Sequence, residues 1–123
     1  MTQINAYLTF NGNCREAMTF YKECLDAQLV LLPVSESPMA QQCPTAMQHQ
    51  NLHACLTKGA LWLMASDMLA PGGLTVGNNV ALSLNCSSED EIHQFYNSLS
   101  VGGQIIDELK VQFWGALFGV FTD

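Results

Sequence analysis

The stretch INAYLTFNGNCREAMTFYKECL, residues 4–25, changes its period once, and that change decides the fold. Ile4, Ala6, Leu8 and Phe10 alternate with Asn5, Tyr7 and Thr9, the two-residue repeat of a strand with one apolar face. Asn11-Gly12-Asn13 breaks the alternation, and Asn13 followed by Glu16 has the spacing of a capping box at a helix start. Beyond it Cys14, Ala17, Met18, Tyr21, Cys24 and Leu25 recur every three or four residues. Such a stripe belongs to an amphipathic helix that can lie on the apolar side of the strand. The polar side of the strand is then left uncovered, which makes it the side to watch.

Working outward, Gln28 to Pro33 reads as a second strand, whereas Ser35 to Gln50 has no period and is expected to be a long loop or edge excursion. Asn51 to Lys58 alternates again, with His53, Cys55 and Thr57 opposite Leu52, Ala54 and Leu56, and Gly59 turns the chain into Ala60 to Ser66. These two runs predict a hairpin. Asp67 to Asn78 contains Pro71-Gly72-Gly73 and Gly77 and has the chemistry of a linker. The opening pattern then returns. Asn79, Ala81, Ser83 and Asn85 alternate with Val80, Leu82, Leu84 and Cys86, and Ser88 with Glu91 forms a second capping box. Ile92, Phe95, Tyr96 and Leu99 follow at helical spacing, and Gly102-Gly103 stops the helix. Gln104 to Asp107, Leu109 to Phe113 and Gly115 to Thr122 are candidate strands.

The two halves superpose at a spacing of about 75 residues, Phe20-Tyr21 falling on Phe95-Tyr96. The expectation is an α+β protein built as tandem βαβββ modules, a half-open barrel around a shared cleft. Residues 1–67 form the first module, 68–78 the linker, and 79–123 a second, shortened module without a last strand, all in one compact domain. The polar alternates of the strands would line the cleft.

Composition bounds the function. The 123 residues are 49% hydrophobic and 12% charged, enough apolar matter for a core and too little charge for disorder. Four basic residues, Arg15, Lys22, Lys58 and Lys110, stand against eleven acidic ones for a net charge of −7, which excludes nucleic acid and anionic membrane as expected partners. The polar start Met1-Thr2-Gln3-Ile4-Asn5, and the absence of any apolar run near the ~18 residues of a membrane span, predict a cytoplasmic protein. The five cysteines, odd in number and without a Cys-x-x-Cys pair, read as reduced thiols rather than disulfides. Cys43, His49, His53 and Cys55 are close enough in sequence to suggest zinc, but they lack the paired spacing of a structural zinc site.

Several separated motifs together resemble one family. Tyr7-Leu8-Thr9-Phe10-Asn11-Gly12-Asn13, Ala17-Met18-x-Phe20-Tyr21, His53-Ala54, Leu63-Met64-Ala65-Ser66-Asp67, Asn78-Asn79-Val80-Ala81-Leu82-Ser83-Leu84 and Phe113-Trp114-Gly115-Ala116-Leu117-Phe118-Gly119 are similar to the PhnB-like branch of the vicinal-oxygen-chelate superfamily. That superfamily also holds glyoxalase I, bleomycin-resistance proteins and extradiol dioxygenases. The resemblance spans nearly the whole chain, and no glycine-rich methyl-donor loop accompanies it. It implies that metal-dependent members draw one ligand from the first and one from the fourth strand of each half. The matching residues here are Asn5, Asn79 and one of Trp62, Leu63 or Met64; the last ligand strand would follow Thr122-Asp123, where the sequence stops. Two neutral amides and an apolar side chain make a poor set for a Lewis-acid ion, so no metal and no cofactor is expected there.

The resulting expectation is a metal-independent small-molecule binding protein of the bleomycin-resistance type, lined by Tyr7, Thr9, His53, Cys55, Trp62, Met64, Asn79 and Ser83, taking a partly apolar neutral or cationic ligand, the cation being favoured by the negative net charge. Its alternative is a metal-dependent isomerase, lyase or thiol transferase. A third reading is a purely structural or interaction role with a collapsed cleft. His53 is the best general acid or base, against a plain interstrand hydrogen bond. Tyr7 and Trp62 either stack on a ligand or merely pack, and Asp67 either takes a proton or caps a turn. A thiolate nucleophile at Cys55 is disfavoured, because His53 two residues away on one strand is not in line with it. The acidic run Glu89-Asp90-Glu91 suits a helix start. The apolar tail Phe118-Gly119-Val120-Phe121, next to an unpaired sheet edge, predicts a homodimer.

Overall fold

The computed structural model describes residues 2–38, 41, 50–68, 74–77 and 79–123. Cys43 and His49 of the zinc reading, and Pro71-Gly72-Gly73 and Asn78 of the linker, lie outside the described residues. Two compact units emerge, Met1–Leu82 and Ser83–Asp123.

The first unit runs β1 (Ala6–Phe10), α1 (Cys14–Leu25), β2 (Gln28–Pro33), a short 3-10 turn (Val34–Glu36), β3 (Asn51–Lys58) and β4 (Leu61–Asp67). It is the expected βαβββ order. The sheet is ordered β1-β4-β3-β2; β1 pairs parallel with β4, and the other two ladders are antiparallel. Parallel pairing of β1 with β4 requires the chain to cross the sheet, and α1 makes that crossing. Its stripe buries Cys14, Met18, Cys24 and Leu25 over β2, β3 and β4, where Ala54, Leu56 and Ala65 are fully buried. Truncating one such side chain, Met18→Ala, would cost about 2–5 kcal/mol. The turn between β3 and β4 rests on Gly59, whose φ of 57° suits a residue without Cβ.

Both ends of α1 are held from a distance. The expected Asn13–Glu16 capping box does not form: the Asn13 side chain makes no cap bond, and its Oδ1 instead accepts from the Asn11 N–H at 3.2 Å. Buried Asp67, at the end of β4, takes its place. One carboxylate oxygen accepts from the Cys14 N–H at 2.9 Å and the other from the Asn51 N–H at 2.8 Å. This is a capping role, reached across 53 residues. At the other end Lys58 Nζ donates to the Leu25 carbonyl at 2.7 Å, and Asp26 in the left-handed region (φ 52°) closes the helix.

The second unit contains α2 (Glu89–Leu99), β5 (Gln104–Val111) and β6 (Leu117–Thr122), with β5 and β6 antiparallel. Here the capping box does form. Ser88 Oγ accepts from the Glu91 N–H at 3.2 Å, and Glu91 returns to the Ser87 N–H at 2.9 Å, one residue before the expected donor. Gln104 to Asp107 and Leu109 to Phe113, expected as two strands, are one strand whose register shifts on either side of Asp107. Gly115, with φ 94°, belongs to the turn, so β6 begins at Leu117. Tyr96 ties α2 to this hairpin: its hydroxyl donates to the Asp107 carbonyl at 3.2 Å and its ring meets Phe121 edge-on at 5.5 Å.

The alternation from Asn79 to Leu84 does not become a strand. Among the described residues it pairs with no ladder, and Val80 and Leu82 are 78% and 60% exposed. In the first unit β1 pairs with β4, the third strand after the helix, while among the described residues after α2 the strands are β5 and β6.

Candidate functional site

The register of the first sheet sorts its side chains into two faces. Leu8, Ala65 and Ala54 lie in line across β1, β4 and β3 on the face that α1 covers. One residue along, Tyr7, Met64, Cys55 and Val30 are aligned across all four strands on the opposite face. Thr9 aligns with Ser66, and Trp62 with Thr57, on that same face. Six of the eight expected lining residues, Tyr7, Thr9, His53, Cys55, Trp62 and Met64, therefore share the face without a helix. Tyr7 and Trp62 are each 50% exposed, and Thr9, His53, Cys55 and Met64 are half-buried.

One polar contact organises this face. The Tyr7 hydroxyl lies 3.4 Å from His53 Nδ1, and the two rings are tilted with centroids 5.9 Å apart. Since β4 separates β1 from β3, the contact spans the middle of the sheet. It engages Nδ1 of His53 and leaves Nε2 for another partner. The pairing also fits the interstrand reading of His53, which sequence alone could not link to Tyr7, 46 residues away.

Asn79 and Ser83 are not brought in by any ladder. Both are exposed on unpaired chain, and Ser83 belongs to the second unit. Asn5 is exposed and lies just outside β1, and Leu63, aligned with Ala6 and Leu56, is on the helix side. The donor set at the metal positions implied by the resemblance is thus two exposed amides with an indole or a thioether. These residues do not fit a divalent catalytic ion, which needs imidazole or carboxylate groups.

Thiols divide by environment. Burial and then the Asp67 carboxylate push Cys14 up to about 11, against a weaker lowering by Arg15. Burial and then Glu23 raise Cys24, and burial and then Glu91 raise Cys86. Cys14 and Cys24 are core residues facing the sheet, while Cys55 is on the open face. Cys86 borders a shallow depression at the start of α2 with Ser87, Ser88 and Glu89, where the Ser87 N–H and Ser88 Oγ are engaged in the helix cap.

A family model described as "Glyoxalase/Bleomycin resistance protein/Dioxygenase superfamily" matches residues 3–123. The chain belongs to that superfamily. Within it, the chain is 29% identical over 129 aligned residues to protein YjdN of Escherichia coli strain K12, covering 98% of this chain and 87% of the relative. The crystal structure of protein PA1353 from Pseudomonas aeruginosa superposes with a TM-score of 0.85 at 39% identity, over 100% of this chain and 90% of that one. The PhnB protein of Bacillus cereus, named a putative 3-demethylubiquinone-9 3-methyltransferase, gives a TM-score of 0.76 at 24% identity, over 99% and 92%. That last likeness is one of fold, and it agrees with the PhnB-like resemblance of the motifs. Among the described residues no helix is long and apolar enough to cross a membrane.

Proposed function

We propose that this chain is a small-molecule binding member of the glyoxalase and bleomycin-resistance group, acting by sequestration through the helix-free face of the first sheet and without a catalytic metal. The observation that supports it most is the composition of that face. Tyr7, Thr9, His53, Cys55, Trp62 and Met64 combine two aromatic rings, a thioether, a thiol and a hydrogen-bonded imidazole on one side of a sheet. None of these carries a fixed charge. Such a surface suits a planar, largely apolar ligand with one polar group, held by stacking and by His53 Nε2.

Native mass spectrometry of freshly purified protein tests this directly. The expected result is a co-purified organic mass that is lost with Tyr7→Ala or Trp62→Ala, each weakening binding about tenfold. Stoichiometric divalent metal lost with Asn5→Ala, together with glyoxalase or dioxygenase turnover, would replace the proposal by the enzyme reading. We further propose a homodimer that covers the exposed Phe118 and Val120 of β6; a monomer by light scattering at micromolar concentration would refute it.

A further inference from the structure

We propose that the β3–β4 hairpin carries a site for a soft monovalent metal ion, copper(I) or silver(I), ligated by Cys55 Sγ, Met64 Sδ and His53 Nε2. Cys55 and Met64 are direct partners in the antiparallel ladder, a relation that sets Cβ atoms about 4.5–5.5 Å apart. His53 lies two residues before Cys55 on the same strand and face, about 6.7 Å along the chain direction. Thiol, thioether and imidazole can converge above β3 and β4 from these three positions.

The donor set selects the ion. Thiolate and thioether sulfurs are soft ligands that favour copper(I), and imidazole is compatible with it. Charge points the same way. Cys55 would contribute a single negative charge as the thiolate, and none of the other expected lining residues of this face is a carboxylate. A monocation yields a neutral complex in this half-buried setting, whereas a divalent ion would leave an uncompensated charge. The Tyr7 contact engages the imidazole at Nδ1, and in the tautomer whose Nδ1–H donates to the Tyr7 oxygen Nε2 carries the lone pair for the ion. Trp62, two residues before Met64 on the same face, offers an indole that can meet a cation through its π face. On binding, the Cys55 thiol proton leaves to solvent as the metal–sulfur bond forms, with no change of oxidation state. The ligands come from β3 and β4, and the first-strand position Asn5 is not used.

The test is an anaerobic titration of the full chain with copper(I) against bathocuproine disulfonate, repeated with silver(I) and needing no organic ligand. One ion per chain is expected. Cys55→Ser should weaken binding about 100-fold or more and Met64→Leu about tenfold, while Tyr7→Phe acts indirectly with a smaller loss. Cys86→Ser and Cys43→Ser should change affinity less than about twofold, and circular dichroism checks that each variant is folded. X-ray absorption of the loaded wild type should find two sulfurs and one nitrogen, a readout that requires no variant. Failure to hold copper(I) against the chelator, or binding abolished by Cys86→Ser or Cys43→Ser and indifferent to Met64→Leu, would overturn the site. Because the organic ligand shares His53 Nε2 with the ion, the titration uses protein freed of any co-purified organic mass, and neither result then bears on that mass.

Discussion

Asp67 shows how one side chain can hold a fold's entrance. Its carboxylate is buried and satisfies the first N–H of α1 and the first N–H of β3 at once. Asp67→Ala leaves two N–H groups without their acceptor and is expected to cost about 2–4 kcal/mol, read as a lower urea midpoint with an unchanged slope. Asp67→Asn should recover part of that loss, since its amide oxygen can serve one donor. Cys14, beside it, gives a pH signature. Its thiol is raised from 9.0 to about 11, so the folded state holds the proton more tightly than the unfolded state does. The associated stability is complete below the unfolded value of 9.0 and is lost as pH rises toward about 11. Over that window the unfolding free energy should fall by on the order of 2 kcal/mol. Denaturant melts of wild type and Cys14→Ala check it: the variant is less stable throughout, but its alkaline slope is shallower. The same site marks a limit of reading by sequence. Asn13 and Glu16 have the spacing of a cap, yet the acceptor that arrives is 53 residues away and belongs to tertiary structure. Ser88 and Glu91 had no such competitor, and there the local reading held.

At the scale of elements, period and glycine chemistry carried most of the fold. β2, β3 and the Gly59 turn fall where alternation and φ preference put them. Alternation from Asn79 to Leu84 was just as regular and produced no strand, because a strand exists only with a neighbour and periodicity is silent about neighbours. The Tyr7–His53 contact was hidden for the same reason: alternation gives each residue its face, but only the order β1-β4-β3-β2 sets the two within reach. Gly103 exposes another such dependence. A Cβ there would run into the Thr122 carbonyl oxygen and come within 2.9 Å of Asp123 Cα, both main-chain atoms across the β5–β6 ladder. Glycine is thus required at the start of β5 for close approach, in addition to its use as a helix stop. Gly103→Ala should force the ladder end apart and cost about 1–3 kcal/mol. Faster amide exchange at Ile105 and Phe121, with the amides of β3 and β4 unchanged, would register the damage; equal protection in both proteins would show that the strand end yields freely.

For the molecule as a whole, charge and site are decoupled. The net charge is −7, yet the six expected lining residues of the open face in the first unit bear no carboxylate and no ammonium. Beyond what the π faces of Tyr7 and Trp62 offer, a preference for cations must come from the summed field, which salt screens over a Debye length of about 10 Å at 0.1 M. Apolar stacking on Tyr7 and Trp62 is far less sensitive to salt. These two contributions can be separated with methylene blue, a planar monocation, and an uncharged tricyclic ring of similar size. Affinity for the cation should fall several-fold as ionic strength rises from about 0.02 to 0.3 M, while that for the neutral ring changes less than about twofold. Tyr7→Ala should weaken both by the same factor, because the lost contact is the one they share. Equal salt dependence for the two probes would mean that the acidic surface does not govern selection. A salt effect that survives with no response to Tyr7→Ala would mean that the cation is collected elsewhere on the chain, and the open face would lose its claim to the ligand.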